Sequence, residues 1–556
     1  MLGAGAGLHV DRVDQCQIHL VDLPLPRSTG HGTRLPQRHP VSFILRSYPT
    51  FSITSADYFG WNRMLMGDNV TRGPIMSAAI THDPDAAAFD PMTHLDDVLE
   101  PLGLSTGDTG GTVSFAGQDP MMDDRLRLGA SIGLPMMAGA VGAAALHRIR
   151  TGVGQDLHLD LRQAVHHIAP HSTWHPTING EAPESALLRD NPFLDDAYST
   201  RDGRAVMAAG VYPHMVGQWC RFLDVPPDAN RIAAAIARWD AFDLEEAASA
   251  AGLTIAVIRT AREWADHPQG ALLASQPLIG LQRISDAPVK DFGPGERPLD
   301  GIRVLSFTHA IAGPTVGRTL AEQGADILGA TRVNDYEHPF VYVQANIGSR
   351  SAVLDLGTAN GRARVEELLA DADIVVNNHR GGKLEKLGLD PAALAERHPG
   401  LTSVSVTCFG SDGPWADRGG FDMIASAASG LMVAEGSQTA PRLPATVAIN
   451  DFVTGYCGAA GAVAALVKRA TVGGSWHVTV NLTRNAMFCL SLGPVDPTLS
   501  GTDDEHTMRE PQSFDADTPF GRLHFPAPPV RFSATPPSWP DPALVPRASS
   551  LAQWRP

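Results

Sequence analysis

The most constraining feature of this sequence is a regular alternation of short apolar segments and helical segments that begins at residue 301. The apolar segments read IRVLSF, ADILGAT, DIVVNN and LTSVSVTCFG, and helical patterns such as GRARVEELLA and PAALAERHP separate them. Strands of this length joined by single helices indicate a mostly parallel, doubly wound α/β sheet. We therefore predict a large domain over residues 298–495, with a binding crevice where its parallel strands end.

The first half of the chain has a different pattern. Residues 51–189 are dominated by helical patterns, the clearest of which runs through small residues from Gly129 to Arg150. Residues 190–290 mix strand and helix patterns, and the following residues, 286–301, are rich in Pro and Gly. We predict a degenerate helical segment, then a small α+β domain, with a domain boundary in the Pro- and Gly-rich stretch.

The two ends of the chain differ from both halves. Residues 1–50 are rich in His, Pro, Gly and Arg and have no clean period, so we predict a poorly ordered or docked arm. Residues 496–556 are rich in Pro, Asp and Ser. We predict a C-terminal tail there that wraps over the protein as coil.

Composition excludes several classes of partner. The formal net charge of -17 disfavours nucleic acids and anionic membranes. The five cysteines are scattered and have no C-x-x-C spacing, so we expect neither a disulfide framework nor a metal site. The N-terminal residues do not have the pattern of a signal peptide, and small-residue runs are too short or too interrupted for a membrane span. These observations predict a cytoplasmic protein that does not bind membranes.

Two segments of the chain resemble each other. Residues 139–161 and residues 459–482 each contain a small-residue helix, a basic cluster, a turn with glycine and an alternating strand. The alternative explanation is chance, because many unrelated helix–turn–strand units have similar sequences. We favour a divergent duplication. The fold prediction is therefore a large and a small domain in a divergent two-unit, permuted arrangement.

The turn after the first predicted strand of the large domain is a candidate anion site. Residues 308–317 read THAIAGPTVG, in which Gly313 permits a tight turn and Pro314 suits a helix start. Helix N-termini attract anions such as phosphate, although an ordinary strand–helix turn has the same residues. The pattern is not the dinucleotide G-x-G-x-x-G, which disfavours an NAD-dependent dehydrogenase.

An ordered series of motifs resembles the class III CoA-transferases, the family of formyl-CoA transferase and carnitine CoA-transferase. It runs over about residues 298–490 and includes LDGIRVLSFTHAIAGPTVGRTLAEQGADIL, NIGSRSAVLDLG, GGFDMIASAASGLM and NDFVTGYCGAAGAVAALVKRATVGG. Residues 190–285 also resemble the small domain of this family, but here they precede the large domain. The resemblance implies a Rossmann-like, CoA-binding large domain and acyl-CoA and a carboxylic acid as substrates, with no permanently bound cofactor.

The resemblance implies that Asp451 is the catalytic nucleophile. In this family an aspartate attacks the thioester, and an acyl–aspartyl anhydride and then an aspartyl-CoA thioester form. From spacing alone, the N-cap of a helix is the favoured interpretation of Asp451, and the resemblance reverses this preference. Asp422 matches an acidic residue of the family's active site, and capping of its own helix is an equal alternative. The internal repeat places Ser131 at the position of Asp451, so one active site is expected per chain.

The resemblance also implies a set of CoA contacts. These positions are His309 and Ala310 in the first turn, Arg332 near the adenosine phosphates, Asn378 and His379, and Lys386. A solvated surface charge is the alternative for each basic residue. This chain departs from the family pattern at two positions, because His379 replaces the usual Phe and Thr331 replaces the usual Glu.

Three alternatives to a CoA-transferase stay open. An α-methylacyl-CoA racemase shares this fold but needs a second base, and Phe421 stands where racemases have a histidine. A non-catalytic CoA-binding protein would fit the substituted positions, and a dehydrogenase is disfavoured above. For the assembly we expect a homodimer or a pairing of the two halves within one chain.

Overall fold

The structure, a computed structural model, describes most of the chain from residue 89 onwards. The described residues are 89–168, 175–185, 187–188, 190–194, 196–333, 335–380, 382–446 and 448–556. The predicted arm, residues 1–50, and residues 51–88 of the predicted helical segment lie outside them.

The first half of the described chain contains helices and short strands. Its elements are α1 (Pro91–Leu99), β1 (Val113–Ala116), α2 (Leu128–Thr151), β2 (Leu157–Asp160), α3 (Leu161–His166), β3 (Thr177–Ile178), β4 (Ala197–Ser199), β5 (Ala205–Ala209), α4 (Pro213–Leu223), α5 (Ala229–Ile236), α6 (Ala241–Ala250), β6 (Thr254–Val257), α7 (Ala261–Asp266) and α8 (Pro268–Ala274). Strands β4, β5 and β6 form an antiparallel sheet whose buried core also contains residues of α4, α5 and α6, in the region where we predict the small α+β domain.

The second half begins with the strand–helix alternation that the sequence predicts. Its elements are β7 (Gly280–Ser285), β8 (Arg303–Phe307), α9 (Ala312–Ala321), β9 (Asp326–Thr331), α10 (Pro339–Asn346), β10 (Arg350–Val353), α11 (Ala359–Leu369), β11 (Ile374–Asn377), α12 (Pro391–Arg397), β12 (Thr402–Thr407), α13 (Asp422–Ser429), α14 (Leu431–Glu435), α15 (Ile449–Thr471), β13 (Ser475–Asn481) and α16 (Leu482–Ser491).

A seven-stranded sheet organises this half. Its strand order is β10-β9-β8-β11-β12-β13-β7, in which β7 is antiparallel to its neighbour and the other pairs are parallel. The predicted mostly parallel α/β sheet is therefore confirmed. Successive strands are added on one side of β8 up to β10 and on its other side from β11 onwards, so the connections leaving β8 and β11 diverge and open a crevice at their carboxyl ends. Strand β7 precedes the predicted boundary at 286–301, so the sheet draws on residues from both sides of it.

The two helices of the internal repeat pack against each other. A Cβ atom on Gly139 of α2 would lie 3.7 Å from the Cα atom of Ala460 in α15, and one on Gly142 would lie 3.1 Å from Val463. Both contacts advance in the same direction along the two helices, which are therefore parallel. By length and hydropathy α2 could cross a membrane, but its whole apolar stretch is buried inside this fold. Among the described residues it is the only helix that passes this test.

The C-terminal residues form the predicted coil only in part. They contain three strands, β14 (Ser513–Thr518), β15 (Gly521–Pro526) and β16 (Val530–Phe532). Strand β15 pairs with β14 and β3, and β16 pairs with β2, so the tail completes sheets that begin in the first half of the chain. The coil prediction was wrong for these strands because β15 and β16 pair with β3 and β2, more than 300 residues away, and local composition does not report such partners.

Leu544 should show that the tail is part of the core. It is fully buried in a cluster with Tyr342, Leu523 and Phe525. We expect Leu544→Ala to lower the free energy of unfolding by about 2–5 kcal/mol through lost burial and a cavity. Leu551→Ala, in the same tail but 71% exposed, should change it by less than about 0.5 kcal/mol. Denaturant titration measures both, and equal small losses would mean that the tail does not stabilise the fold.

Candidate active site

The turn between β8 and α9 is held in a left-handed conformation. Ala310 has φ 57°, a value that non-glycine residues adopt at a cost and that is concentrated at functional sites. The side chain of Asn378, which follows β11, secures this turn: its Oδ1 accepts from the backbone N–H of His309 at 3.1 Å, and its Nδ2 donates to the carbonyl of His309 at 2.7 Å. The structure thus brings His309, Ala310 and Asn378 together at the two strand ends where the crevice opens.

A carboxylate that the sequence did not identify completes this turn. Glu337 accepts a hydrogen bond from the backbone N–H of Ala310 at 2.8 Å and another from the hydroxyl of Tyr212 at 3.0 Å. His338, the next residue, contacts the carbonyl of Val211 at 2.9 Å through its ring. The loop before α10 therefore ties the first turn of the sheet to the segment that precedes α4. Neither Glu337 nor Tyr212 lies in a recognisable motif, so no sequence signal could have found them.

Basic and aromatic side chains gather beside the turn. The rings of His309 and His379 stack with centroids 5.1 Å apart. The pKa of His379 is lowered to about 4, chiefly by burial and also by the neighbouring His309, Lys383 and Arg332, while Asp335 opposes them. An anion bound here would therefore favour the protonated, cationic form of His379.

The two predicted cationic residues, Arg332 and Lys386, both lie on the surface. The side chain of Arg332 is 74% exposed and lies 3.7 Å from Asp335. Lys386 lies in an exposed turn, Glu385–Leu387, whereas Lys383 is one of the charged groups that lower the pKa of His379. The structure therefore adds Lys383 to the cationic residues near the histidine pair.

Asp451 and Asp422 form a buried carboxyl pair at the start of α15. Asp422 Oδ2 accepts from the backbone N–H of Asn450 at 2.5 Å and from that of Asp451 at 3.2 Å. Burial raises the pKa of Asp451 well above its ordinary value, and the adjacent Asp422 carboxylate raises it further. Asp451 is the third residue of its helix and Ala448 is the N-cap, so Asp451 is not the capping residue. Asp422 does act as a cap, but for α15 rather than for its own helix.

Close helix packing fixes the position of Asp451 relative to the first turn. A Cβ atom on Gly455, one helical turn after Asp451, would lie 2.5 Å from Cβ of Thr315 and 2.9 Å from the carbonyl oxygen of Ala312. Only glycine allows this approach of α15 to α9. Cys408, which follows β12, is also near the pair, because both carboxylates raise the pKa of its buried thiol.

A cleft of about 450 Å³ adjoins the turn. It is lined by residues of β8, β9, α10 and the start of β10, by the turn itself and by one tail residue, and the polar lining residues include Ser306, Thr308, His309, Thr331, Glu337, Ser351 and Arg547. Arg547 is held by Asp335 at 2.9 Å and by Thr331 at 3.1 Å. Hydroxyl groups and a guanidinium at strand ends suit a phosphate-bearing ligand. In the described ranges no group of three His, Cys, Asp or Glu side chains could hold a metal ion.

Comparison with known proteins gives a consistent assignment. The model of CoA-transferase family III matches residues 103–286 and 299–514. Acetyl-coenzyme A transferase nodX of Hypoxylon pulicicidum is 33% identical over 244 residues, 43% of this chain and 39% of that protein. The succinate–glutarate CoA-transferase of Agrobacterium fabrum is 35% identical over 203 residues, 33% of this chain and 51% of that protein. The chain thus spans about half the length, or less, of these relatives.

Solved structures show the same similarity in sequence. A crystal structure of a CAIB/BAIF family protein from Brucella suis is 26% identical to this chain. The match covers 42% of this chain and 67% of that one, with a TM-score of 0.32. The two matched ranges of the family model lie on either side of the predicted domain boundary at 286–301.

Proposed function

Because this chain belongs to CoA-transferase family III, we propose that it transfers coenzyme A from an acyl-CoA thioester to a carboxylic acid, with Asp451 as the nucleophile. The observation that carries the proposal is the buried Asp451–Asp422 pair beside the strand ends of the sheet. A carboxylate that is partly desolvated and has a raised pKa is a more basic, and hence stronger, nucleophile once it ionises.

The proposed reaction needs no redox partner and no net proton transfer. Ionised Asp451 attacks the thioester carbonyl, the C–S bond breaks, and CoA leaves as thiolate while an acyl–aspartyl anhydride forms. The thiolate attacks the Asp451 carbonyl carbon, which releases the donor carboxylate and leaves an aspartyl-CoA thioester. The acceptor carboxylate attacks this thioester and releases the thiolate again. The thiolate then attacks the acceptor's acyl carbon, which frees Asp451.

Residues around the first turn would hold the CoA. His309 and Ala310, whose backbone N–H groups donate to Asn378 and Glu337, form the turn before α9 along which the CoA would lie. His379 and Lys383 lie beside it, and Arg332 reaches it from the surface. We assign these residues to the phosphate-bearing part of CoA, in a Rossmann-like crevice, and leave Lys386 with a peripheral role.

Isotope exchange tests the proposal. The protein is incubated with a panel of acyl-CoAs and, for each, the same acid carrying a heavy isotope, and mass spectrometry follows the label into the thioester. Label entry that depends on Asp451 supports CoA transfer. CoA binding without label entry for any pair would instead support a non-catalytic CoA-binding protein.

The racemase alternative has its own measurement. In deuterated water, 2-methylacyl-CoA should not gain deuterium at its α carbon at a catalytic rate, because Phe421 cannot take up a proton. Rapid, Asp451-dependent deuterium entry would overturn the transferase assignment.

For the assembly we propose that the two halves pair within one chain. Segment β1–α2–β2–α3 follows the order of β12, α15, β13 and α16, apart from α13 and α14, which are inserted after β12. Each segment has a parallel strand pair, and helices α2 and α15 lie side by side. The fold would then be a divergent two-unit arrangement with permuted domains. Light scattering should give a monomer mass if this pairing replaces a dimer.

Ser131→Ala tests the unequal roles of the two halves. Ser131 is buried near the start of α2, at the position that the repeat aligns with Asp451. A serine has no carboxylate to form the anhydride, so we expect turnover to change by less than about twofold. A large fall in turnover at an unchanged melting temperature would contradict the repeat alignment.

A further inference from the structure

A wall of aromatic rings stands close to the Asp451 carboxyl. Tyr212, which precedes α4, is 8% exposed, and its ring centroid lies 6.3 Å from that of Phe421 and 6.5 Å from that of His309. Phe421 directly precedes Asp422, the partner of Asp451. Tyr212 is thus a side chain from the small-domain region that reaches the carboxyl edge of the large sheet, between the first turn and the nucleophile.

Carboxylates border this wall. The Tyr212 hydroxyl donates to Glu337, whose other oxygen accepts from the N–H of Ala310. Burial, then Glu337 and, more weakly, Asp451 raise the pKa of the Tyr212 hydroxyl well above its ordinary value. The carboxylates of Glu337 and Asp451 therefore both lie near enough to Tyr212 to influence its hydroxyl. Asp422 adds a third carboxyl group beside Asp451.

This arrangement restricts the acyl group of the substrate. A thioester carbonyl that reaches Asp451 brings its acyl chain against the wall of Tyr212 and Phe421. Aromatic surfaces gain free energy by burying apolar chains. A second carboxylate on the acyl chain would enter a poorly solvated space that already contains the charges of Glu337 and Asp422. Like charges that lie close together repel strongly when water is excluded.

We propose that the acyl group exchanged at Asp451 is uncharged and apolar at its far end. Tyr212 and Phe421 are the specificity-determining side chains for this apolar end, and Glu337 disfavours acyl groups that carry a second carboxylate. The inference rests on the proposed function, CoA transfer through Asp451. It also separates this chain from the Agrobacterium relative, whose name gives two dicarboxylic acids as its substrates.

Two substrates of equal shape test the proposal. The acyl chain of succinyl-CoA ends in a carboxylate, and that of 4-methylpentanoyl-CoA ends in an isopropyl group of the same shape. Each is incubated with its own isotope-labelled free acid, and the rate of label entry into the thioester gives kcat/KM. We expect 4-methylpentanoyl-CoA to be preferred by about tenfold or more, the range in which pocket contacts discriminate between substrates.

Variants assign the preference to residues. Glu337→Gln keeps a hydrogen-bond acceptor for Ala310 but removes the charge, so the preference should fall several-fold as succinyl exchange rises relative to 4-methylpentanoyl exchange. The matched control, Glu396→Gln, changes an exposed glutamate in α12 and should leave the preference unchanged. Tyr212→Ala should slow 4-methylpentanoyl exchange more than succinyl exchange, whereas Tyr212→Phe, which keeps the ring, should retain the preference. Because each value is a ratio within one variant, partial loss of folded protein cancels.

The outcomes distinguish the two proposals. Equal or faster exchange of succinyl-CoA by the unaltered protein overturns the specificity proposal and leaves CoA transfer standing. An unchanged ratio in Glu337→Gln refutes the role of Glu337. Failure to exchange either substrate, together with every other acid in the panel, counts against the proposed function itself.

Discussion

Asp451→Asn should lower the turnover of CoA transfer by a factor on the order of a thousand or more, the usual cost of removing a covalent catalyst. The loss follows from chemistry, because the amide oxygen cannot form the anhydride. Stability should change little. Asp451 is not the N-cap of α15, and its backbone N–H stays available to Asp422. Burial already favours the uncharged form of this side chain, and an amide is uncharged as well.

Chemical trapping gives a second readout of the same residue. During turnover with a competent acyl-CoA, hydroxylamine should attack the acylated carbonyl of Asp451 and displace either the donor carboxylate or the CoA thiolate. The side chain becomes a hydroxamate, and mass spectrometry locates it on the peptide that contains Asp451. Near-normal turnover in Asp451→Asn, with no hydroxamate in the unaltered protein, would refute the mechanism.

The large sheet could be predicted from the sequence because its signals are local. Buried parallel strands appear as short apolar runs, and each is followed by one amphipathic helix, so IRVLSF and DIVVNN correspond closely to β8 and β11. The same logic places His309 and Asn378 near each other, because both follow strands that end at the same edge of a sheet. Their hydrogen bonds join the two positions as this topology requires.

The remaining site residues depend on contacts between distant segments. Glu337 lies in an irregular loop, and it reaches Ala310 only because Tyr212, from the first half, holds the other side of its carboxylate. No periodicity reports such a contact. The different places of Lys383 and Lys386 likewise depend on how the loop after β11 runs, and the sequence pattern does not report this.

The packing of the C-terminal tail also depends on contacts between distant segments, which the sequence does not report. Its Pro- and Asp-rich composition is typical of coil, yet Leu544 and Phe525 are buried against Tyr342. Strand β15, which lies between β14 and β3, gains its stability from cross-strand neighbours rather than from intrinsic preference. Without knowledge of the partner strand, the sequence of the tail therefore gives no reason to predict a strand there.

Asp422→Asn should move the acid limb of the activity profile to lower pH. The nucleophile must be ionised, so kcat/KM falls as pH drops through the pKa of Asp451, which burial and the Asp422 carboxylate both raise. An asparagine keeps an oxygen that can accept from the N–H groups of Asn450 and Asp451 but carries no charge. The pKa of Asp451 should therefore fall. On the steep part of the limb, moving the limb to lower pH by about one pH unit raises the rate at a fixed pH about tenfold.

Asp119→Asn is the matched control, because Asp119 caps α2 in the way that Asp422 caps α15. Its carboxylate accepts from the N–H groups of Gly129 and Ala130, each at 2.8 Å. Burial raises the pKa of Asp119 from 3.8 to about 6, so the stability that its protonated form contributes is lost as pH rises from about 4 to 6. Asp119→Asn should therefore change the pH dependence of the melting temperature in that window and leave the acid limb of activity in place. If both variants moved the limb equally, the movement would come from helix capping, and Asp422 would not set the ionisation of Asp451.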